Sequence, residues 1–188
     1  MNIKVSNENR KIGKDTFIIN MNSAKDCPSR LNGLCQLDNP DKCYALKAER
    51  QYPSCLPYRK SQEIIWNNTD ARDIADQLLA MNSRKRKPVK YLRFSEAGDF
   101  KTQADIDKMD VIARILDGKI RVYGYTARCD LDYSKISSNM IVNGSGFMAT
   151  NEFKAVTEYT SKIRCAGNCR ICNLCKHNGY KNIQVLIH

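Results

Sequence analysis

Cys165, Cys169, Cys172 and Cys175 place four thiols within eleven residues, and this run constrains the chain more than any other feature. Short gaps let a tightly turning backbone aim successive thiolates at one inorganic core, as in ferredoxin-type runs. Four thiolates also suit tetrahedral zinc, but structural zinc sites usually join two Cys-x-x-Cys pairs from separate segments. A single run fits the wider span of a cubane, so a [4Fe–4S] cluster is the expected occupant and zinc the alternative. Disulfides are the competing use of cysteine; they belong to oxidising compartments and small secreted scaffolds. This chain has 188 residues and an odd cysteine count of nine. Its start, Met1-Asn2-Ile3-Lys4-Val5, lacks the apolar stretch and cleavage site of a signal peptide. Metal ligation in a cytoplasmic protein is the expectation.

A second set, Cys27, Cys35 and Cys43, is spaced evenly by seven intervening residues. Buried cysteine is often a small hydrophobe, yet Cys27 and Cys35 sit in a polar stretch and Cys43 opens a predicted helix. Thiols at a helix start favour a negatively charged cluster, because the free N–H groups and the dipole point there. Two clusters are expected, with one cluster sharing ligands from both sets the alternative. Cys55 and Cys129 are further possible ligands.

Apolar residues form 42% and charged residues 27% of the chain, the composition of a folded globular domain, and no apolar run approaches the ~20 residues that span a bilayer. Strands are predicted at Asp15 to Asn20, Val89 to Phe94, Ile120 to Tyr125, Met140 to Val142 and Ile183 to Ile187. A loop is expected from Met21 to Lys42. Helices are predicted at Cys43 to Tyr52 with Asp41 as N-cap, Arg59 to Trp66, Ala71 to Met81 capped by Thr69 or Asp70, Gln103 to Leu116, and Asn151 to Ile163. Alternating strands and helices imply an α/β fold, either a partial (βα) barrel or an open parallel sheet with crossover helices, carrying a C-terminal cysteine-rich metal-binding segment. Residues 1–163 form the α/β domain with its N-terminal cysteine loop at 21–55. Residues 164–188 add the cysteine cluster and a final strand packed on the same domain.

In parallel folds, functional groups gather on loops at the C-terminal strand ends. Glu96, Asp99 and Arg128 fall there and are the candidate acid, base or anion-binding groups, although Asp99 or Thr102 can instead cap the next helix. Arg93 can bind a carboxylate or phosphate. Gly144-Ser145-Gly146 permits close backbone approach to a ligand and joins Glu96 as a candidate cofactor-binding element. With His177 and His188 the only histidines, hydrolytic triads find little support. The formal net charge of +11, densest at Arg84-Lys85-Arg86-Lys87, favours a polyanionic partner such as nucleic acid, but no nucleic-acid-binding motif accompanies it.

A strand, a three-cysteine loop and a helix beginning Cys43-Tyr44-Ala45 resembles the opening of the radical S-adenosylmethionine (SAM) enzymes, with wider gaps between the cysteines. That resemblance implies a cluster with one open iron that binds SAM, and a turn at Ser95-Glu96-Ala97-Gly98-Asp99 near the SAM amino group. The wider layout Cys-Pro-Ser, Cys-Tyr-Ala, Leu-Arg-Phe-Ser-Glu-Ala-Gly-Asp-Phe and Tyr-Thr-Ala-Arg, closed by the cysteine cluster, resembles phage-borne proteins of the gene-product-eighty-eight type. Three functions are therefore expected to compete: an iron–sulfur enzyme acting on nucleic acid or a nucleotide, a non-enzymatic iron–sulfur module binding nucleic acid or a host or phage protein, and a zinc-stapled binding protein.

Overall fold

Thr16–Ile19 is buried along its whole length and forms β1. It begins a six-stranded parallel sheet in the computed structural model, which describes residues 1–6, 9, 11–35 and 40–186. The remaining strands are β2 (Tyr91–Phe94), β3 (Arg121–Thr126), β4 (Met140–Ser145), β5 (Asn151–Val156) and β6 (Ile183–Leu186), and they lie side by side in chain order. Ile187 and His188 lie outside the described residues.

Register explains the layering. Phe17, Leu92, Val122 and Met140 stand level across β1 to β4, and Ile19, Phe94, Gly124 and Val142 form the next row of the same face. Side chains alternate between the faces of a strand, so both rows point one way, into the core. Among the described residues the α-helices are α1 (Pro28–Leu31), α2 (Tyr44–Gln51), α3 (Cys55–Asn68), α4 (Ala71–Ser83) and α5 (Gln103–Ile115). Ile74 and Leu78 of α4, with Ile106, Met109, Ile112 and Ala113 of α5, close the core over those rows. The opposite face carries Ile18, Arg93, Tyr123 and Ile141 at one level, a mixed polar and aromatic surface.

Local signals set most helix ends. Asp70 caps α4 by accepting from the Asp73 amide at 2.8 Å. Thr102, and not Asp99, caps α5, in a capping box with Asp105. Asp41 is not the cap of α2; it lies in a 3-10 turn, Pro40–Lys42, and Cys43 occupies the N-cap position. The stretch expected to be loop from 21 to 42 contains α1, started by Pro28 at a favoured position.

The largest departure is β5. Asn151 to Ile163 was expected to be a helix, and Asn151–Val156 is a strand paired on both sides. Ladder bonds to β4 and β6 outweigh a weak helix propensity that the segment has no described cap to support. Parallel neighbours normally need a dozen residues of crossover. Here five residues suffice between β4 and β5, because β5 pairs only with Asn143–Ser145 at the end of β4. Gly144 and Ser145 therefore belong to the strand rather than to the loop after it. Among the described residues, no helix is long and apolar enough to cross a membrane.

Candidate metal centre and strand rim

The C-terminal segment lies against the polar face of the sheet, where its 3-10 turn Leu174–Lys176 packs on β3 and β4. Two strand asparagines hold it there. Asn143 Nδ2 donates to the Gly124 carbonyl and to the Cys175 carbonyl, each at 2.9 Å. Asn151 Nδ2 donates to Asn143 Oδ1 at 3.0 Å and to the His177 carbonyl at 2.7 Å, while its Oδ1 accepts from the Tyr180 amide at 2.9 Å. Both are fully buried. Asparagine is depleted in strands, so one in each of two adjacent strands was the available signal for these pinning residues.

The rest of the segment is fixed by its backbone. The amide of Cys165 donates to Gln184 at 2.7 Å, that of Cys169 to Lys11 at 3.1 Å, and that of Cys172 to Asn168 at 3.1 Å. Lys176 Nζ reaches back to the Cys169 carbonyl at 3.0 Å and stands 4.1 Å from the Tyr91 ring centroid. Its residue is only 2% exposed.

The four thiols are electrostatic neighbours. Burial pushes the Cys175 thiol up to about 12; the Tyr125 hydroxyl pulls it back, and Cys165, Cys169 and Cys172 push it further. Cys169 is likewise raised by burial, with Arg93 and Lys176 opposing and Cys165 and Cys172 adding to the rise. The Gly167 amide points at Cys165 Sγ, 3.4 Å away, the N–H···S contact that stabilises a metal-bound thiolate. All nine cysteines are free thiols. Among the described residues, no three His, Cys, Asp or Glu side chains already converge on one metal position. The donor types nonetheless suit a thiolate-ligated centre: four thiols in one short run, an amide directed at Cys165 Sγ and the Tyr125 hydroxyl by Cys175. His177 stands apart from them in role. Its Nδ1 contacts Arg121 Nη1 at 2.8 Å, and burial with the charges of Arg121 and Lys176 holds its pKa below the ordinary value, leaving it a neutral acceptor.

The N-terminal cysteines lie at the rim, at the C-terminal ends of β1 to β3. Glu49 of α2 ties down the loop after β1 by accepting from the Ala24 amide at 2.7 Å and the Lys25 amide at 3.0 Å; it also pairs with Arg59 at 2.9 Å. Cys27 N-caps α1, and burial pushes its thiol up to about 11; the Arg30 and Ser29 amides pull it down, while Asp99 and Cys35 push it up. Cys27 is thus near both Asp99 and Cys35. Cys43 packs on the small Ala24, Ala45 and Ala97 cluster. Burial also raises the Cys55 thiol, with Arg59, Glu49 and Glu96 close to it. Cys129 is exposed.

The candidate acid and base groups divide by their partners. Asp99 is spent on structure: Oδ2 accepts from Ser29 Oγ at 2.5 Å and the Ala127 amide at 2.9 Å, and Oδ1 from the Phe100 amide at 2.8 Å. It therefore joins the loops after β1, β2 and β3. Arg128 donates from Nη1 to the carbonyls of Phe100 and Lys101 at 2.6 and 2.7 Å, and grips Asp130 bidentately. Glu96 accepts from Asn9, and its carbonyl accepts from Tyr44 at 2.8 Å; it is half-buried, facing the rim. The opening expected at Gly144 is filled by its own chain, since a Cβ there would lie 2.3 Å from the Phe147 carbonyl. Gly146 adopts a positive φ of 76° and donates its amide to Phe153 at 2.9 Å, a turn that leads into β5.

Gly98 has the stricter requirement. Its φ is +76°, and a Cβ would lie 1.8 Å from Asn22 Oδ1. Asn22 brackets Asp99, accepting from its amide at 3.0 Å and donating to its carbonyl at 2.6 Å. Gly98→Ala is expected to destabilise the fold by about 2–3 kcal/mol, through strain and the lost bracket. Thermal melting checks this, with Gly33→Ala as the open, strained-only comparison.

The three-cysteine loop, the Glu96 turn and the terminal thiol run all lie within a stretch that one family description covers. Residues 2–178 match the family model described as Gene product 88. The chain belongs to the Gene product 88 family. No curated protein and no solved structure matched it. The match confirms the gene-product-eighty-eight likeness of the sequence and brings no support for the likeness to radical SAM enzymes. In this Gene product 88 chain, the family region takes in both thiol sets, the rim and the polar sheet face.

Proposed function

We propose that this Gene product 88 protein is a metal-cluster protein in which Cys165, Cys169, Cys172 and Cys175 bind a [4Fe–4S] cluster, with zinc the alternative occupant. The observation that carries the reading is that Cys165, Cys169 and Cys172 all act on Cys175, that Cys169 and Cys175 lie by Tyr123 and Tyr125, and that the Gly167 amide is directed at Cys165 Sγ. The bound centre would supply charge and a rigid cross-link to the segment, and an iron–sulfur cluster would add one-electron chemistry. Tyr125 would donate to the Cys175 sulfur, and Asn143 and Asn151 would hold the ligand loop on the sheet.

Cys27, Cys35 and Cys43 are proposed as a second, rim-facing cluster site. A SAM-dependent enzyme is the further reading, and one observation favours it: these cysteines and Glu96 occupy adjacent loops at a single rim of strands in sequential parallel order. Nucleic acid is the polyanionic partner proposed for the basic loop. Arg84 to Lys87 precede β2 and so lie at the opposite end of the strand from the rim. A nucleic acid bound there would sit away from any chemistry at Glu96.

The test is purification without oxygen followed by measurement of iron, sulfide and zinc per chain. Iron and sulfide in equal amounts support the cluster, and about eight of each per chain would establish two cubanes. Zinc without iron replaces the cluster with a stapled fold. A protein that takes up neither metal, even on reconstitution, refutes the proposal.

A further inference from the structure

Arg93, half-buried with its Nε enclosed, and Lys176, buried, are two cations beside the C-terminal thiols that no carboxylate among the described residues neutralises. Arg93 Nε is buried without an acceptor, and its guanidinium lies 5.1 Å from the Tyr125 ring centroid. The neighbouring Tyr123 hydroxyl is also buried without a partner. Lys176 donates only to a carbonyl and faces a ring. Among the described residues, neither cation makes an ion pair. Glu96 acts on Arg93 without forming an ion pair with it. Burial works against the Arg93 charge, yet the side chain stays a guanidinium, with Glu96 favouring its charged form.

Enclosing an unpaired charge, even in part, is costly, and two unpaired cations that both act on Cys169 leave this part of the fold short of an anion. Both cations act on the Cys169 thiol, which also feels Cys165 and Cys172. Four thiolates around a dipositive core, whether zinc or an oxidised [4Fe–4S] cluster, carry two negative charges. That matches the two cations in number.

Resting on the reading of the thiols as ligands, we infer that the Arg93–Lys176 pair is the built-in counter-charge of a dianionic metal–tetrathiolate centre seated on the polar sheet face. The pair sets the charge state the site accepts, and it favours an oxidised cluster over a trianionic reduced one less strongly than an uncharged floor would. Arg93 and Lys176 are positioning residues; they touch no reacting atom.

The test compares wild type, Arg93→Met, Arg93→Lys and Lys176→Met, each reconstituted with iron and sulfide or with zinc and then challenged by a chelator. Arg93→Met and Lys176→Met are expected to lose metal at least tenfold faster, and Arg93→Lys to stay within threefold of wild type. With iron, the two Met variants also shift the cluster to a more negative reduction potential. Stripped of metal, the order reverses: Arg93→Met melts at or above wild type, because removing an unpaired charge relieves its desolvation. A wild-type rate of metal loss in both Met variants overturns the inference while leaving the metal reading intact. A metal-free Arg93→Met that melts well below metal-free wild type, with unaltered metal retention, assigns Arg93 to packing and also overturns it. A wild type that binds neither metal overturns both.

Discussion

Cys169→Ala is expected to lose the C-terminal metal and to lower the melting temperature by about 10 °C, the equivalent of about 3 kcal/mol for a chain of this size. The size of the effect follows from where the segment sits. It is pinned to the sheet by Asn143, Asn151 and a few backbone bonds, and it brings no apolar core of its own beyond residues packed at the sheet. A metal cross-link would therefore supply most of its local stability, since ligand binding and folding are coupled in such sites. Cys172→Ala should behave alike. Cys129→Ala, at an exposed thiol, should change neither metal content nor melting. Metal content unchanged in Cys169→Ala, with melting unchanged, would remove Cys169 from the ligand set.

Asp99→Ala is expected to cost about 3 kcal/mol, with the loops after β1, β2 and β3 loosening together. Its carboxylate satisfies the amides of Ala127 and Phe100 and the Ser29 hydroxyl in a nearly dry setting, and buried donors left without acceptors cost about 1–3 kcal/mol each before relaxation. The pH dependence has a definite sign. Burial raises the Asp99 pKa, with hydrogen bonds from Ser29, Ala127, Thr126 and Phe100 opposing. A raised folded-state pKa gives stability that is present below the unfolded value and lost as pH rises through the folded one. The deficit of Asp99→Asn relative to wild type should therefore be largest in acid and narrow as pH increases. Denaturant melts across that range check it. A deficit that widens with pH would show that the carboxylate form is the one the fold prefers.

The core strands were legible because Leu92 and Phe94 alternate with Tyr91 and Arg93, and because the apolar stripe of α5 repeats at helical spacing. The parallel sheet with crossover helices followed from the alternating elements. The strand at Asn151–Val156 was not legible, because its stability comes from ladder bonds to β4 and to the distant β6 rather than from its own residues. Asp99 and Arg128 looked like rim chemistry from sequence position alone. Only the folded contacts show that their polar atoms are taken up in holding loops together. The thiol run was the clearest signal and remains the proposed site. Its floor, by contrast, was divided among Arg93, Tyr123, Tyr125 and Lys176, which lie on separate elements and share no local motif. Long-range juxtaposition of this kind leaves no periodic trace in a single sequence.

The measurement that bears most directly on the central claim is X-ray absorption at the metal edge of protein purified without oxygen. The account predicts a first shell of sulfur alone at about 2.3 Å, with a short metal–metal vector as well if the centre is a cluster, and loss of that shell in Cys169→Ala. A first shell of nitrogen and oxygen at about 2.0–2.1 Å, unaltered by that substitution, would contradict it.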